Sequence, residues 1–175
     1  MRKSYKTEAF VLKKRPLLKS DLFVSLFTEK LGLIKVFAPG IKKITSKRVS
    51  ILETGNLIKT ELSQKDNFFY LSEVSLVSGF TSIKDYRDKM NTYYVFLFVL
   101  AKILPEEAAE EKIFKLFKSF LVELSSQTGH SLPILTRYLN QVLKVLGYLE
   151  KDLTEYEITP FIEDLINEKL PDFNI

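Results

Sequence analysis

The spacing of apolar residues changes once along the chain, near Gly79. Before it, apolar and polar positions alternate in short runs; after it, they recur at three and four. Residues 5–14 open with alternation, Ala9 and Val11 against Phe10 and Leu12, and predict a strand that the segment KKRP ends at Pro16. Residues 21–28, DLFVSLFT, are rich in strand formers: Phe23, Val24, Phe27 and Thr28. EKLG then turns the chain at Gly32, and LIKVFA gives a third strand that stops at Pro39-Gly40. Residues 21–38 therefore read as a hairpin. Residues 41–51, IKKITSKRVSI, have no clean period and read as a long exposed loop with room for a helical turn. GNLIKTEL (55–62) alternates as a fourth strand, QKDN (64–67) turns, and FFYLSEVSLV (68–77) is a fifth. Five antiparallel strands in so short a stretch predict a small barrel or sandwich.

From Ser82 onward the pattern is helical. Ser82-Ile-Lys-Asp85 has the form of a capping box. Tyr86, Met90, Tyr93, Tyr94, Leu97, Phe98, Ala101 and Leu104 share one face, which predicts a single helix to Leu104. Pro105 stops it and opens the next, with Glu106, Glu107, Glu110 and Glu111 in the first turns and Ile113, Phe114, Phe117, Phe120, Leu121 and Leu124 inside. Gly129 ends that helix. Ser131 caps a third, with Leu135, Leu139, Val142, Leu143 and Leu146 inside and Gly147 as its C-cap. Thr159-Pro160 starts a short last helix, closed by Pro171. The expected architecture is α+β: a five-stranded antiparallel barrel or sandwich over residues 1–80 and a helical bundle over 81–175.

Charge sharpens this division. Residues 1–80 hold 15 Lys/Arg against 7 Asp/Glu, and residues 81–175 hold 11 against 15. The first half is thus +8 and the second −4, a contrast that suggests two modules with different partners. Lys13, Lys14, Arg15, Lys19, Lys30, Lys35, Lys42, Lys43, Lys47 and Arg48 crowd the stretch from 5 to 48. Lysine is usually just solvated, but clustering in turns points to a polyanion. Aromatic residues reach 13%, with no Trp. Phe10, Phe23, Phe37, Phe68, Phe69 and Tyr70 lie on the expected strands, where alternation sends about half of them into a core.

The sequence offers little for catalysis. It has no Cys, which removes disulfides, thiolate zinc sites and Cys nucleophiles. His130, the one histidine, sits in a turn between Gly129 and Ser131. No GxxxxGK[ST], GxGxxG or GxSxG occurs. The Glu106–Glu111 cluster reads as a solvated helix start before it reads as a metal site. The longest apolar run, YYVFLFVLA at 93–101, is too short for a membrane span. A cytoplasmic, non-enzymatic binding protein without cofactor or metal is the expectation.

EAFVLKKR, SDLFVSLFTEKLG, IKVFAPG with its SKR loop, LSEVSLVSGF, TYYVFLFVLAKIL and RYLNQVLKVLGYLEKDL follow one another over about residues 5–155. In this order and spacing they resemble the bacterial DNA repair protein RecO family. The resemblance implies an OB-fold followed by a helical domain. It implies binding of single- and double-stranded DNA, annealing of strands, and contacts with RecR and the acidic C-terminal tail of single-strand-binding protein, in support of RecA loading on gapped DNA. Many relatives carry a four-Cys zinc element after the Leu-Gly-aromatic motif, which this chain lacks, and the helical part here is shorter. Pro39 stands where relatives often have Lys before the turn glycine, which shifts expected phosphate contacts to Lys42 and Lys43. Those contacts are assigned to Lys13, Lys14, Arg15 and Lys19 in the first loop and to Lys35, Lys42, Lys43, Lys47 and Arg48 around the third strand. Arg137 and Lys144, seven apart on one helix face, are weaker candidates for an acidic protein tail. The alternative is an interaction scaffold whose basic barrel takes RNA or acidic proteins.

Overall fold

The computed structural model describes residues 3–17, 21–40 and 48–171, with the backbone alone at Arg48. Five strands come first: β1 (Lys3–Pro16), β2 (Leu22–Thr28), β3 (Gly32–Ala38), β4 (Leu57–Lys65) and β5 (Phe68–Ser78), with a one-turn helix α1 (Arg48–Ile51) before β4. They close into a barrel in the order β1-β2-β3-β5-β4. The closure is mixed and not wholly antiparallel as the sequence suggested: β3 runs parallel to β5, through Val36↔Phe69 and Phe37↔Tyr70. Parity explains this. Strand directions cannot alternate all the way around a ring of five, so one neighbouring pair must run the same way.

The barrel's inside is one apolar cluster: Ala9, Val11, Leu22, Val24, Leu26, Ile34, Val36, Ala38, Leu52, Ile58, Leu62, Phe69 and Leu71. All but Leu52, which follows α1, occupy one parity of each strand, as a pleated sheet with one filled face requires. At about 25 cal/mol per Å² of apolar surface removed from water, this burial is the main stabilising term of the unit. Two side chains tie the hairpin ends. The Thr28 hydroxyl donates to the Gly32 carbonyl at 2.9 Å and accepts the Leu31 N–H at 2.9 Å. The Asp21 carboxylate accepts the Gly40 N–H at 2.7 Å.

β1 runs further than its sequence suggested. A bulge between Val11 and Lys13 adds one residue, and pairing with β2 then continues through Lys13↔Ser25, Lys14↔Val24, Arg15↔Phe23 and Pro16↔Leu22. Lys13, Lys14 and Arg15 are therefore strand residues and not loop residues. Pro16 is tolerated because it is the last residue of the strand.

The barrel is completed by a segment distant in sequence. The compact unit that contains it joins Met1–Gly79 to Leu104–Glu111. The sequence pattern placed a helix from Pro105, but residues 105–110 are not helical, and the helix begins at Glu111. Glu107 holds a left-handed φ of 57° and donates its N–H to the Leu33 carbonyl at 2.9 Å. Glu106 bridges to Leu33 in parallel. A hydrogen-bonded edge outweighs the helix propensity of the glutamates, so the segment lies along β3 as a strap.

The second unit comprises Phe80–Ile103 and Lys112–Ile175. Its helices are α2 (Thr81–Lys84), α3 (Arg87–Ile103), α4 (Glu111–Ser126), α5 (Leu132–Val145) and α6 (Glu155–Ile166). The helix expected from Ser82 to Leu104 is thus two, parted at Asp85–Tyr86. Phe80, with left-handed φ of 50°, stands at the cap of α2, and no side chain caps it. Phe96 stacks on Phe120 at 4.2 Å and lies 5.3 Å from Phe117, and Phe120 meets Tyr138 edge-on at 5.4 Å. Such ring pairs add roughly 0.5–1.5 kcal/mol each beyond their area.

Buried polar groups fix the helix ends. Ser131 is the N-cap residue of α5, as the sequence suggests, but its side chain makes no cap hydrogen bond; its hydroxyl donates to Asp88 at 2.5 Å and meets Thr92 at 2.6 Å. Asn140, 3% exposed, clamps the chain beyond α5 by accepting the Leu153 N–H at 2.9 Å and donating to the Leu153 carbonyl at 2.8 Å. Gly147, at φ 79°, closes α5: the Tyr148 N–H reaches the Leu143 carbonyl at 2.9 Å and the Gly147 N–H that of Lys144 at 3.0 Å. α6 starts earlier than the sequence suggested. Thr154 and Glu157 form its capping box, which holds the Glu157 carboxyl below its ordinary range through the Thr154 N–H and hydroxyl. Pro160 lies inside α6.

Candidate nucleic-acid interface

The outer face of the barrel is built by the strand residues that the core does not use. Lys13 and Arg15 point there from β1, both exposed, with no ion-pair partner among the described residues. Lys14, between them, has the opposite parity. It is half-buried, and its ammonium is held by Glu53 at 2.5 Å. Lys35 shares the outer face, in line with Lys13 through the pairings Lys13↔Ser25 and Ser25↔Lys35. Its ammonium meets Glu106 of the strap at 2.5 Å. An exposed pair of this kind contributes little stability, but it occupies the cation.

The next line of outward positions is aromatic. The register runs Arg15↔Phe23, Phe23↔Phe37 and Phe37↔Tyr70, so one basic residue and three rings cross β1, β2, β3 and β5 side by side. Phe23 and Phe37 are 5.6 Å apart and tilted; Phe37 and Tyr70 are 5.8 Å apart, edge to face. All three are partly exposed. The other strand aromatics sort differently. Phe69 faces the barrel core, Phe10 is fully buried, and Phe68 is 59% exposed beside the β4–β5 turn. The sequence names these six but does not separate them, because the bulge and the two bulged pairings of β4 with β5 shift the simple alternation.

Lys19, Lys42, Lys43 and Lys47, and the side chain of Arg48, lie outside the described residues. The structure therefore brings together Lys13, Arg15 and Lys35 from the expected set and turns Lys14 aside. Sequence reasoning missed the acidic partners. Glu53 is 39 positions from Lys14 and Glu106 is 71 from Lys35, and only the fold makes them neighbours.

In the helical unit, Arg137 and Lys144 are exposed on α5. Arg137 pairs with Glu123 and lies 5.2 Å above the Tyr138 ring, and Lys144 pairs with Asp152 at 2.8 Å. The Arg137 contact holds the Glu123 carboxyl below its usual range, and burial with the Glu123 hydrogen bond raises the Tyr138 phenol. Among the described residues, no three His, Asp or Glu side chains stand close enough to hold a metal ion. No helix there is long and apolar enough to cross a membrane.

The sequence is similar to known proteins. Residues 1–80 match the family described as Recombination protein O N terminal. The chain is 30% identical over 147 residues to the DNA repair protein RecO of Clostridium novyi, a match covering 82% of this chain and 56% of the relative. It is 30% identical to that of Glaesserella parasuis over 142 residues, covering 79% and 57%. With that of Thermodesulfovibrio yellowstonii it shares 30% over 154 residues, covering 83% and 58%. The chain thus spans a little over half the length of the curated relatives it matches.

Proposed function

The chain belongs to the RecO family, and from that premise we propose that it binds DNA through its barrel and serves recombinational repair without being an enzyme. The observation that carries the reading is Lys13 with Arg15: two exposed cations at alternate positions of one strand, unneutralised among the described residues, where Lys14 and Lys35 are paired. Cations held on a rigid sheet neutralise phosphates and release counterions, which gives affinity independent of sequence. Strand annealing follows from such binding, because neutralising two strands lowers the repulsion between them. Lys19, Lys42, Lys43, Lys47 and Arg48 complete the expected phosphate contacts.

Work with RecR, with the acidic tail of single-strand-binding protein and towards RecA loading extends the same reading. An acidic tail that docks on α5 has to displace Glu123 from Arg137 or Asp152 from Lys144. The test of the DNA reading is the salt dependence of binding to an unstructured oligonucleotide. The Lys13→Ala/Arg15→Ala variant should lower the slope of log affinity against log salt by about 1.4, two contacts at roughly 0.7 each for single strands. An unchanged slope would remove these residues from the interface. Binding of acidic proteins with no binding of DNA would favour the scaffold reading instead.

A further inference from the structure

The row Phe23–Phe37–Tyr70 has no packing role in the barrel's interior, which the opposite strand parity already fills. Three partly exposed rings in adjacent register positions form a continuous apolar band on an outer sheet face. A cation stands at its β1 end, Arg15, and a second line of cations, Lys13 and Lys35, runs beside it two residues away. Charge beside rings suits a ligand that is anionic along one edge and flat and aromatic along the other. Nucleic acid has both features, and only unpaired bases present their faces to a protein surface.

We infer that this row is a stacking platform for two or three unpaired bases of a single strand, with the phosphates running along the Lys13–Arg15 side. Adjacent strands lie about 4.8 Å apart, so β2, β3 and β5 together span roughly 10 Å, room for that many bases. The platform rests on the DNA-binding reading above and adds to it what separates single strands from duplex: duplex reaches the cations but has no free base faces for the rings. Phe37, central in the row and touching both other rings, is the residue on which the preference turns.

Two substitutions at Phe37 in the full chain test this. Phe37→Leu keeps apolar bulk and removes the ring. It should weaken binding of an oligo-dT about tenfold or more, the loss of one stacked base, and leave a mixed-sequence duplex within about twofold at the same salt, with a cooperative thermal melt that shows the variant folded. The natural chain has no Trp, so Phe37→Trp carries a single reporter in the row. Its emission should be quenched by oligo-dT and not by duplex. Undiminished binding of oligo-dT by the Leu variant overturns the platform, as does Trp emission that stays constant while oligo-dT binds. Failure of the unaltered chain to bind either nucleic acid overturns the DNA-binding reading itself, a distinct result.

Discussion

At the residue scale, two positions show how much rests on single side chains. Asn140 satisfies both backbone groups of Leu153 and also donates to the Thr136 carbonyl at 3.1 Å. Removing its amide leaves a backbone N–H and a carbonyl without partners, each costing about 1–3 kcal/mol where buried. Asn140→Ala should therefore lower stability by about 2–3 kcal/mol in urea unfolding, with Asn140→Asp intermediate because it keeps the acceptor for Leu153 N–H. Gly32 is constrained from two sides. Its φ of 71° disfavours any L side chain, and a Cβ there would lie 1.9 Å from the Ala108 carbonyl oxygen. The sequence marks this glycine as a turn; its second duty, as the floor under the strap, depends on a residue 76 positions later and leaves no local trace.

At the element scale, the strap is the part of the fold least legible in the sequence. Pro105 followed by glutamates is the usual pattern of a helix start. What overrides it is long-range: the Leu33 carbonyl accepts the Glu107 N–H, and Lys35 meets Glu106. The strands were legible because a filled barrel imposes period two on them. The bulge after Val11 was not, since an added residue in a run of Lys and Arg has no apolar marker. If the outer face carries phosphate as proposed, the strap competes with the ligand for Lys35. Glu106→Gln should then steepen the salt slope for single strands by about 0.7, one recovered contact. Anisotropy titrations at several salt concentrations measure it, and an identical slope would leave Lys35 outside the interface.

At the scale of the molecule, the broad division was legible: alternation gives way to helical spacing near Gly79, and strands give way to helices at Thr81. The candidate site was legible as a composition but not as a surface. Charge clustering pointed to β1 and β3, while the partition into exposed, paired and buried members depended on closure of the barrel. The register that lines up Arg15, Phe23, Phe37 and Tyr70 depends equally on the parallel β3–β5 pairing, which joins strands more than 30 residues apart.

The strap has a further consequence, in the order of synthesis. A chain emerges from the ribosome N-terminus first, and domains generally fold as they are completed. All five strands precede Gly79, yet the unit they belong to ends only at Glu111, after the whole of α3 has been made. A nascent chain released at Gly79 carries every strand but leaves the Leu33 carbonyl bare and Gly32 uncovered. Stalled chains of increasing length, treated with protease, should therefore gain barrel protection in two steps, a partial one once β5 is out and a full one only when residue 111 has cleared the exit. Full protection at the first step would mean that the strands alone complete the barrel, with the strap an addition to its surface.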